Sequence, residues 1–432
     1  FALAGAVIVG IGCGLWPLAR VRFTELITSL KDSANTGGTA RLRLGHGAVI
    51  AQIALSCALL AGGGLLLKNL VALQEREAGF RSEGVVTFTV APAGARYEAP
   101  EALSAFFHNL EDGLRGVNGV TVVGMTSHLP MQNWGMNGEM TLDGPPRWKA
   151  NEAPLVEYRF ILGDYLKALE IPLVKGRALG DRDGKGTRTV MINQAMADKF
   201  WPGQDPIGHR FGQGEDHARW YEVVGVVGNV RARGLANGPL FEFYQTVDQS
   251  GYAYMTVVIK TAGVEPESVV PAARQIVSSL DPLLPISGVQ TMTKVVADSV
   301  GQPRLLTAVA SVFALAAAIL SMVGVYGVMT YNVRREKREF GIRLALGAER
   351  RQVEGLVLSR GLRLAVIGVA AGVAGGFALS RFLASLLNDV KPTDPWVFAA
   401  TAAATFAVTL ASSYFPARRA SRLDPASVLR ST

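Results

Sequence analysis

Five stretches of the chain are apolar for nearly long enough, or long enough, to cross a bilayer: Phe1–Leu18, Gly45–Leu67, Leu305–Tyr331, Leu362–Leu387 and Trp396–Tyr414. A helical span needs about 20 such residues, because it rises about 1.5 Å per residue across about 30 Å of hydrocarbon. The Leu305–Tyr331 run exceeds that length, so it is expected to tilt or to project beyond the membrane. The Gly45–Leu67 run holds Gly62, Gly63 and Gly64, which allow close helix contact. Phe1–Leu18 has no basic segment before it and basic residues after it, unlike a signal peptide. It reads as the last transmembrane helix of a preceding unit, and the chain as part of a longer protein.

Between Asn69 and Pro303 the pattern changes to short alternating and helical periods. Strands are predicted at Gly84–Ala91, Val120–Met125, Arg188–Asn193, Glu222–Val227 and Met255–Lys260. Helices are predicted at Pro100–Arg115, where Leu103, Phe106, Phe107, Leu110 and Leu114 share a face, at Gln194–Phe200 and at Glu265–Leu280. Leu129–Pro154 is rich in Gly, Pro and Asn and reads as loops and short strands. The strand–helix–strand at the start and the strand–helix at the end read as two halves of one α+β unit, with about 128–250 inserted between them. The expected layout is therefore a preceding span at 1–18, a cytoplasmic linker at 19–44, a span at 45–68 and an extracytoplasmic domain at 69–303. A second membrane domain at 304–432 follows, with spans near 305–331, 362–387 and 396–414 and a cytoplasmic loop at 332–361.

Charge placement supports that layout. The chain carries a net +8, which by itself would suit a nucleic-acid binder. Residues 69–303 carry 21 Lys and Arg against 26 Asp and Glu, so the excess lies in the membrane part and its short loops. That is orientation charge and headgroup attraction, and it argues against nucleic acid as a partner. Cytoplasmic loops retain Lys and Arg, which places the 19–44 linker, the loop at Arg334 and the C-terminal tail inside. The large domain and the Asn388 loop then lie outside. The exits of the first and last runs echo each other, Trp16-Pro17 before Arg20 and Phe415-Pro416 before Arg418. The two cysteines, Cys13 and Cys57, both fall in apolar runs, so no disulfide framework is expected in the large domain.

The loop from Arg334 to Arg351 carries seven basic residues around a different core: Glu339, Phe340, Gly341, Ile342, Arg343, Leu344, Ala345, Leu346, Gly347 and Ala348. This core is short, helix-prone and apolar at alternate positions, and Gly347 is a natural helix end. Glu349–Leu358 reads as a second helix running back to the membrane. Two readings stay open on spacing alone: a docking helix for a separate cytoplasmic protein, or a charged loop resting on lipid headgroups. In the fourth run, Gly368, Gly372 and Gly376 recur every four residues and put a backbone-lined groove on one helix face for helix packing.

Catalytic chemistry is hard to place on this chain. Gly180–Thr187 approaches a phosphate-binding loop but is one residue short, and Gly186 replaces the hydroxyl residue after Lys185. It reads as a turn. His46, His108, His128, His209 and His217 are scattered, none at a metal-ligand spacing. Charged residues inside the spans are few and near the ends, which argues against an ion-driven carrier. No catalytic residue, metal ligand or cofactor is assigned.

The stretch Arg338-Glu-Phe-Gly-Ile-Arg-Leu-Ala-Leu-Gly-Ala348 resembles the cytoplasmic coupling element of the MacB/FtsX superfamily of ABC-type permeases. Pro416–Ala426 is similar to that family's C-terminal ending. Gly163–Arg177, Phe200–Gly208 and Val223–Arg231 resemble signatures of the MacB-like periplasmic core domain. Together they are most similar to duplicated orphan permeases, of which this would be the C-terminal unit. The resemblance implies a membrane α-helical bundle of four spans, plus the preceding partial span, with a large α+β extracytoplasmic domain in the cell inner membrane. It implies mechanotransmission: a separate cytoplasmic ATPase, carrying ATP and Mg, docks on Glu339–Ala348, and its motion reaches the outer domain. Further partners implied are a second permease unit in cis or a homo-oligomer, a periplasmic protein and membrane lipids. Export or lipoprotein or macrolide-type substrate handling is one implied function. A non-transporting regulator of a cell-envelope enzyme is the other.

Overall fold

The structure is a computed structural model, and it describes residues 37–132, 135–143, 153–213, 219–388 and 390–422. The predicted span at 1–18, the linker up to residue 36, His217 and the tail beyond Arg422 lie outside the described residues. The chain divides into two compact units, one of residues up to 65 with 309–384 and 391 onward, the other of residues 66–308 with 385–390.

The first helix, α1, runs Gly37–Gln74. Next come β1 (Val85–Val90), α2 (Pro100–Arg115) and β2 (Val120–Thr126). Pro100 opens α2 at a position where its missing N–H costs nothing. β3 (Met136–Leu142), β4 (Leu155–Gly163), α3 (Tyr165–Ala168) and β5 (Leu173–Gly176) follow. β6 (Thr189–Asn193) leads into α4 (Gln194–Phe200), where the Asn193 side chain accepts from the Met196 N–H as an N-cap. β7 (Arg210–Gln213), β8 (Arg219–Val227), β9 (Glu242–Thr246) and β10 (Met255–Thr261) precede α5 (Val270–Leu280). β11 (Ser287–Thr291) and α6 (Met292–Ser299), capped by Thr291, complete the mixed part.

The mixed unit is built on two β arrangements that share β4. In the first, β11, β1, β10, β2 and β4 lie side by side, antiparallel throughout. β10, from beyond residue 250, lies between β1 and β2, from before residue 128. Every residue of β1 is buried, so both faces of this sheet are covered. On one face Val86, Phe88 and Val90 meet Leu103, Phe106, Phe107, Leu110 and Leu114 of α2 and Ala273 and Val277 of α5. On the other, Val85 and Val258 meet Tyr165 and Ala168 of α3 and Met292 and Val295 of α6. In the second arrangement β4, β3, β7, β8, β6 and β9 pair in turn, and β9 closes back on β4 in parallel. That ring of six strands leaves no free edge within it. Phe243 sits at its centre, with ring centroids 5.2–5.6 Å from Phe211, Tyr221 and Tyr158. The sequence pattern did not predict β3, β4, β5, β7, β9 and β11 as defined strands.

The helical part continues with α7 (Gly301–Arg335), α8 (Lys337–Ala345), α9 (Arg350–Leu383) and α10 (Pro395–Ser421). Asp394 caps α10 by accepting from the Trp396 and Val397 N–H groups. Among the described residues, four helices, α1 from Gly45, α7, α9 and α10, are long and apolar enough to cross a membrane. α1 is the most buried of them, with Ile53, Cys57, Ala61 and Leu65 fully enclosed at four-residue spacing. The sequence separated a Glu349–Leu358 helix from the span beginning at Leu362. The two are one helix, α9, because Gly361 packs against α10 with no break: a Cβ there would lie 2.5 Å from the Ser413 Oγ.

Candidate functional site

The short helix between α7 and α9 has two faces of opposite character. Phe340 is 1% exposed and packs among Val353 and Val357 of α9 and Ala417 and Ala420 of α10. Leu344, four residues on, joins the same cluster. Ile342 is 41% exposed and Leu346 83%, so the pair at the same four-residue spacing points away. Glu339, Arg343, Ala345 and Gly347 are exposed beside them, while Gly341 is buried and Ala348 half-buried. Phe340, which the sequence places within the docking segment Glu339–Ala348, therefore faces inward, because residues 340 and 344 share the face that meets α9 and α10. The exposed ridge is Ile342–Leu346. Val353, Val357, Ala417 and Ala420, which form the socket, were not singled out in the sequence, although the four-residue spacing of the valines carries that signal.

Local bonds hold this helix in place. Gly347, at φ +93, ends it, with the Ala348 N–H bonded to the Arg343 carbonyl and the Gly347 N–H to that of Leu344. Arg343 donates to Glu339 at 2.6 Å along the outer face. Glu336, just before α8, pairs with Arg360 on α9, and Ser421 at the end of α10 donates to Glu354 of α9 at 2.7 Å. Arg334, Arg335, Lys337, Arg338, Arg350 and Arg351 are all exposed around it.

The glycine groove of α9 receives α1. A Cβ at Gly368 would lie 2.6 Å from Ile53, one at Gly372 would lie 2.5 Å from the Cys57 Cβ and 2.8 Å from the Ala54 carbonyl, and one at Gly376 would lie 2.9 Å from Phe398. All three glycines are buried. Gly62 and Gly64 of α1 in turn face Leu379 of α9 and Val397 of α10.

In the mixed unit, a polar cleft of about 370 Å3 lies between α2 and the strand ring. His108 faces Asp248 at 3.3 Å, and Arg115 bridges Glu111 at 2.6 Å and Asp164 at 3.2 Å. Burial raises the Glu111 carboxyl above its ordinary range, against the pull of Arg115 and His108. Burial works to raise the Asp248 carboxyl too, but bonds from His108 and Ser104 lower it overall. Deeper, Arg159 of β4 is enclosed and bonds Glu242 of β9 at 2.9 Å, while Glu157 accepts from Arg233 at 2.7 Å. These four charges balance where β4 and β9 pair. In Gly180–Thr187, the stretch read as a turn, Lys185 pairs with Glu101 of α2 and Thr187 closes a turn onto the Gly184 carbonyl.

Residues 71–277 match the family model of the MacB-like periplasmic core domain, and residues 311–425 match that of the FtsX-like permease C-terminal region. The chain belongs to the MacB/FtsX-type superfamily of ABC permeases. Over 279 residues this MacB/FtsX-type chain is 28% identical to the macrolide export ATP-binding/permease protein MacB of Azoarcus sp. (strain BH72), covering 62% of this chain and 41% of that one. It is 23% identical over 339 residues to the ABC transporter permease YknZ of Bacillus subtilis (strain 168), covering 76% of this chain and 80% of that one. The match spans 20% and 21% of the length of two further MacB relatives, from Syntrophobacter fumaroxidans and Rhodopirellula baltica. Among solved structures, the periplasmic region of MacB from Actinobacillus actinomycetemcomitans aligns with 54% of this chain and 98% of its own, at a TM-score of 0.35 and 11% identity. As a MacB/FtsX-type permease the protein is a multi-pass protein of the inner membrane. Its α+β unit is the MacB-type extracytoplasmic domain.

Proposed function

We propose that this permease takes its drive from a separate cytoplasmic ABC ATPase that docks on α8 and carries the ATP and Mg. The observation behind this reading is the division of α8 into an anchored and an open face. Phe340 and Leu344 fix the helix to α9 and α10, so a push on the open face moves those helices too. Ile342 and Leu346 offer an apolar ridge, 41% and 83% exposed, and Glu339, Arg343 and the surrounding basic residues give it a charged rim. Apolar cores with charged rims are the usual anatomy of protein interfaces. Ala345 and Gly347 add small exposed surface to that contact, Gly347 and Ala348 close the helix's end, and the buried Gly341 lets α8 sit close to its socket.

The motion then passes to the outer domain along α7 and α1, for export or for handling a lipoprotein or macrolide-type substrate. Such a change needs an ATPase that binds the two permease states with different affinity. The test is capture of purified candidate ABC ATPases from the same genome by the full chain, with and without ATP. Leu346→Glu with Ile342→Glu is expected to weaken capture at least tenfold while thermal unfolding stays unchanged. Undiminished capture would remove α8 as the docking site.

A further inference from the structure

A cavity of about 290 Å3 lies in the outer unit, where several membrane-linked segments converge. Leu66 and Asn69 enter it from α1, Gln302 and Leu306 from the start of α7, Asn388 from the stretch after α9 and Arg233 from the loop after β8. The apolar runs Gly45–Leu67, Leu305–Tyr331 and Leu362–Leu387 start or stop at these positions. The cavity therefore sits at the level where the outer hydrocarbon boundary gives way to head groups. Leu305, beside it on α7, is 65% exposed.

Its walls are fixed before any ligand arrives. Asn69 is 2% exposed, and its amide donates to the Leu386 carbonyl at 3.3 Å while accepting from the Asn388 N–H at 3.0 Å. The Thr307 hydroxyl bonds the Leu66 carbonyl at 3.3 Å and ties α7 to α1. Apolar and amide groups share the lining, and among the described residues Arg233 is its one charged member. Arg233 already donates one nitrogen to Glu157 at 2.7 Å, but the planar guanidinium carries five N–H donors in all, and its fork matches a phosphate, so the group can serve both anions. Volume narrows the occupant further. Pockets for drug-sized molecules run to about 300–1,000 Å3, so this one suits a phosphate with its glycerol and excludes a macrolide ring.

We propose that this cavity seats the head group of one glycerophospholipid from the outer leaflet. Its phosphate faces Arg233, its glycerol lies among the amides, and its acyl chains leave past Leu305 into the bilayer. Seated there, the lipid touches α1, α7 and the segment after α9 together, so separating them requires its release. The inference rests on the membrane placement and not on the ATPase reading.

The test uses the full chain reconstituted in phosphatidylethanolamine–phosphatidylglycerol nanodiscs, transferred to detergent and examined by native mass spectrometry. The wild type is expected to keep one phospholipid per chain after the annular lipid has been stripped. Gln302→Trp starts from an exposed position, so it fills the cavity without disturbing the core, and retention is expected to fall at least tenfold at unchanged thermal stability. Arg233→Gln is expected to lower it several-fold. Equal retention in Gln302→Trp overturns the proposal. So does displacement by millimolar inorganic phosphate or glycerol 3-phosphate, which would mark a soluble-anion site. Should Arg233→Gln fold and keep its lipid, the phosphate assignment fails.

Discussion

Asp183 is a carboxylate with four donors. Both nitrogens of the Arg177 fork reach it, at 2.6 and 2.7 Å, with the Thr189 hydroxyl at 2.8 Å and the Gly180 N–H at 3.0 Å. Burial alone would raise its pKa, but the bonds from Arg177, Thr189 and Gly180 outweigh that and hold it at about 2. A carboxyl depressed in the fold stabilises it above the unfolded pKa, near 3.8, and loses that contribution as pH falls through the folded value. A shift of nearly two units corresponds to about 2–3 kcal/mol. Asp183→Asn should therefore lower the unfolding free energy at neutral pH by about that amount. The gap from wild type should close between about pH 4 and pH 2, as read by near-UV circular dichroism during thermal melts. Glu111 has the opposite sign: its raised carboxyl favours the fold at low pH, and that favour is lost as pH rises through its folded value. At this scale the sequence misled at one position. Phe340, Ile342, Leu344 and Leu346 look like one apolar row in the text of the chain. On a helix, residues two apart lie on nearly opposite sides, so the row divides into an inner pair and an outer pair.

Among the elements, the long helices and the strongly periodic α2 were legible because burial on one face writes a regular spacing. The strands of the ring were not. β4 reads Leu-Val-Glu-Tyr-Arg-Phe-Ile-Leu-Gly, and its Glu157 and Arg159 look like surface residues. They are enclosed because Arg233 and Glu242 neutralise them, and no local pattern reveals a partner about 80 residues away. β9 buries all five of its residues, Glu242 and Gln245 included, so it shows no alternation. β5 exposes all four of its residues and shows none either. The glycine row of α9 was legible as a groove but not as to what fills it. Since a Cβ at Gly372 would meet both Cys57 and the Ala54 backbone, Gly372→Ala must push α1 away. Maleimide labelling of Cys57, resolved from Cys13 by peptide mass spectrometry, should rise several-fold. Gly375→Ala, where the nearest atom is 3.7 Å away, should leave it unchanged.

On the scale of the whole protein, α7 is one uninterrupted helix of 35 residues, about 50 Å long at 1.5 Å per residue. Its last residues adjoin α8 and its first follow α6, so it is the direct covalent route between the cytoplasmic and outer parts. Gly327, with nothing within 4 Å of its Cβ position, is a site where proline can kink the helix without a side-chain clash. Gly327→Pro should leave ATPase capture intact yet abolish the nucleotide-dependent change in distance between spin labels on α2 and β5. An unchanged distance response would show that α7 is not the conduit.

The placing of β10 between β1 and β2 also bears on biogenesis. As the nascent chain is exported, β1 and β2 emerge with a gap between them that only Met255–Thr261 can fill. The six-stranded ring draws on β3, β4, β6, β7, β8 and β9, all of which precede Met255 in the chain, so it can close while that gap is still open. Closure of the ring therefore does not depend on Met255–Thr261, whereas the sheet that holds β1 and β2 stays incomplete until that late segment arrives.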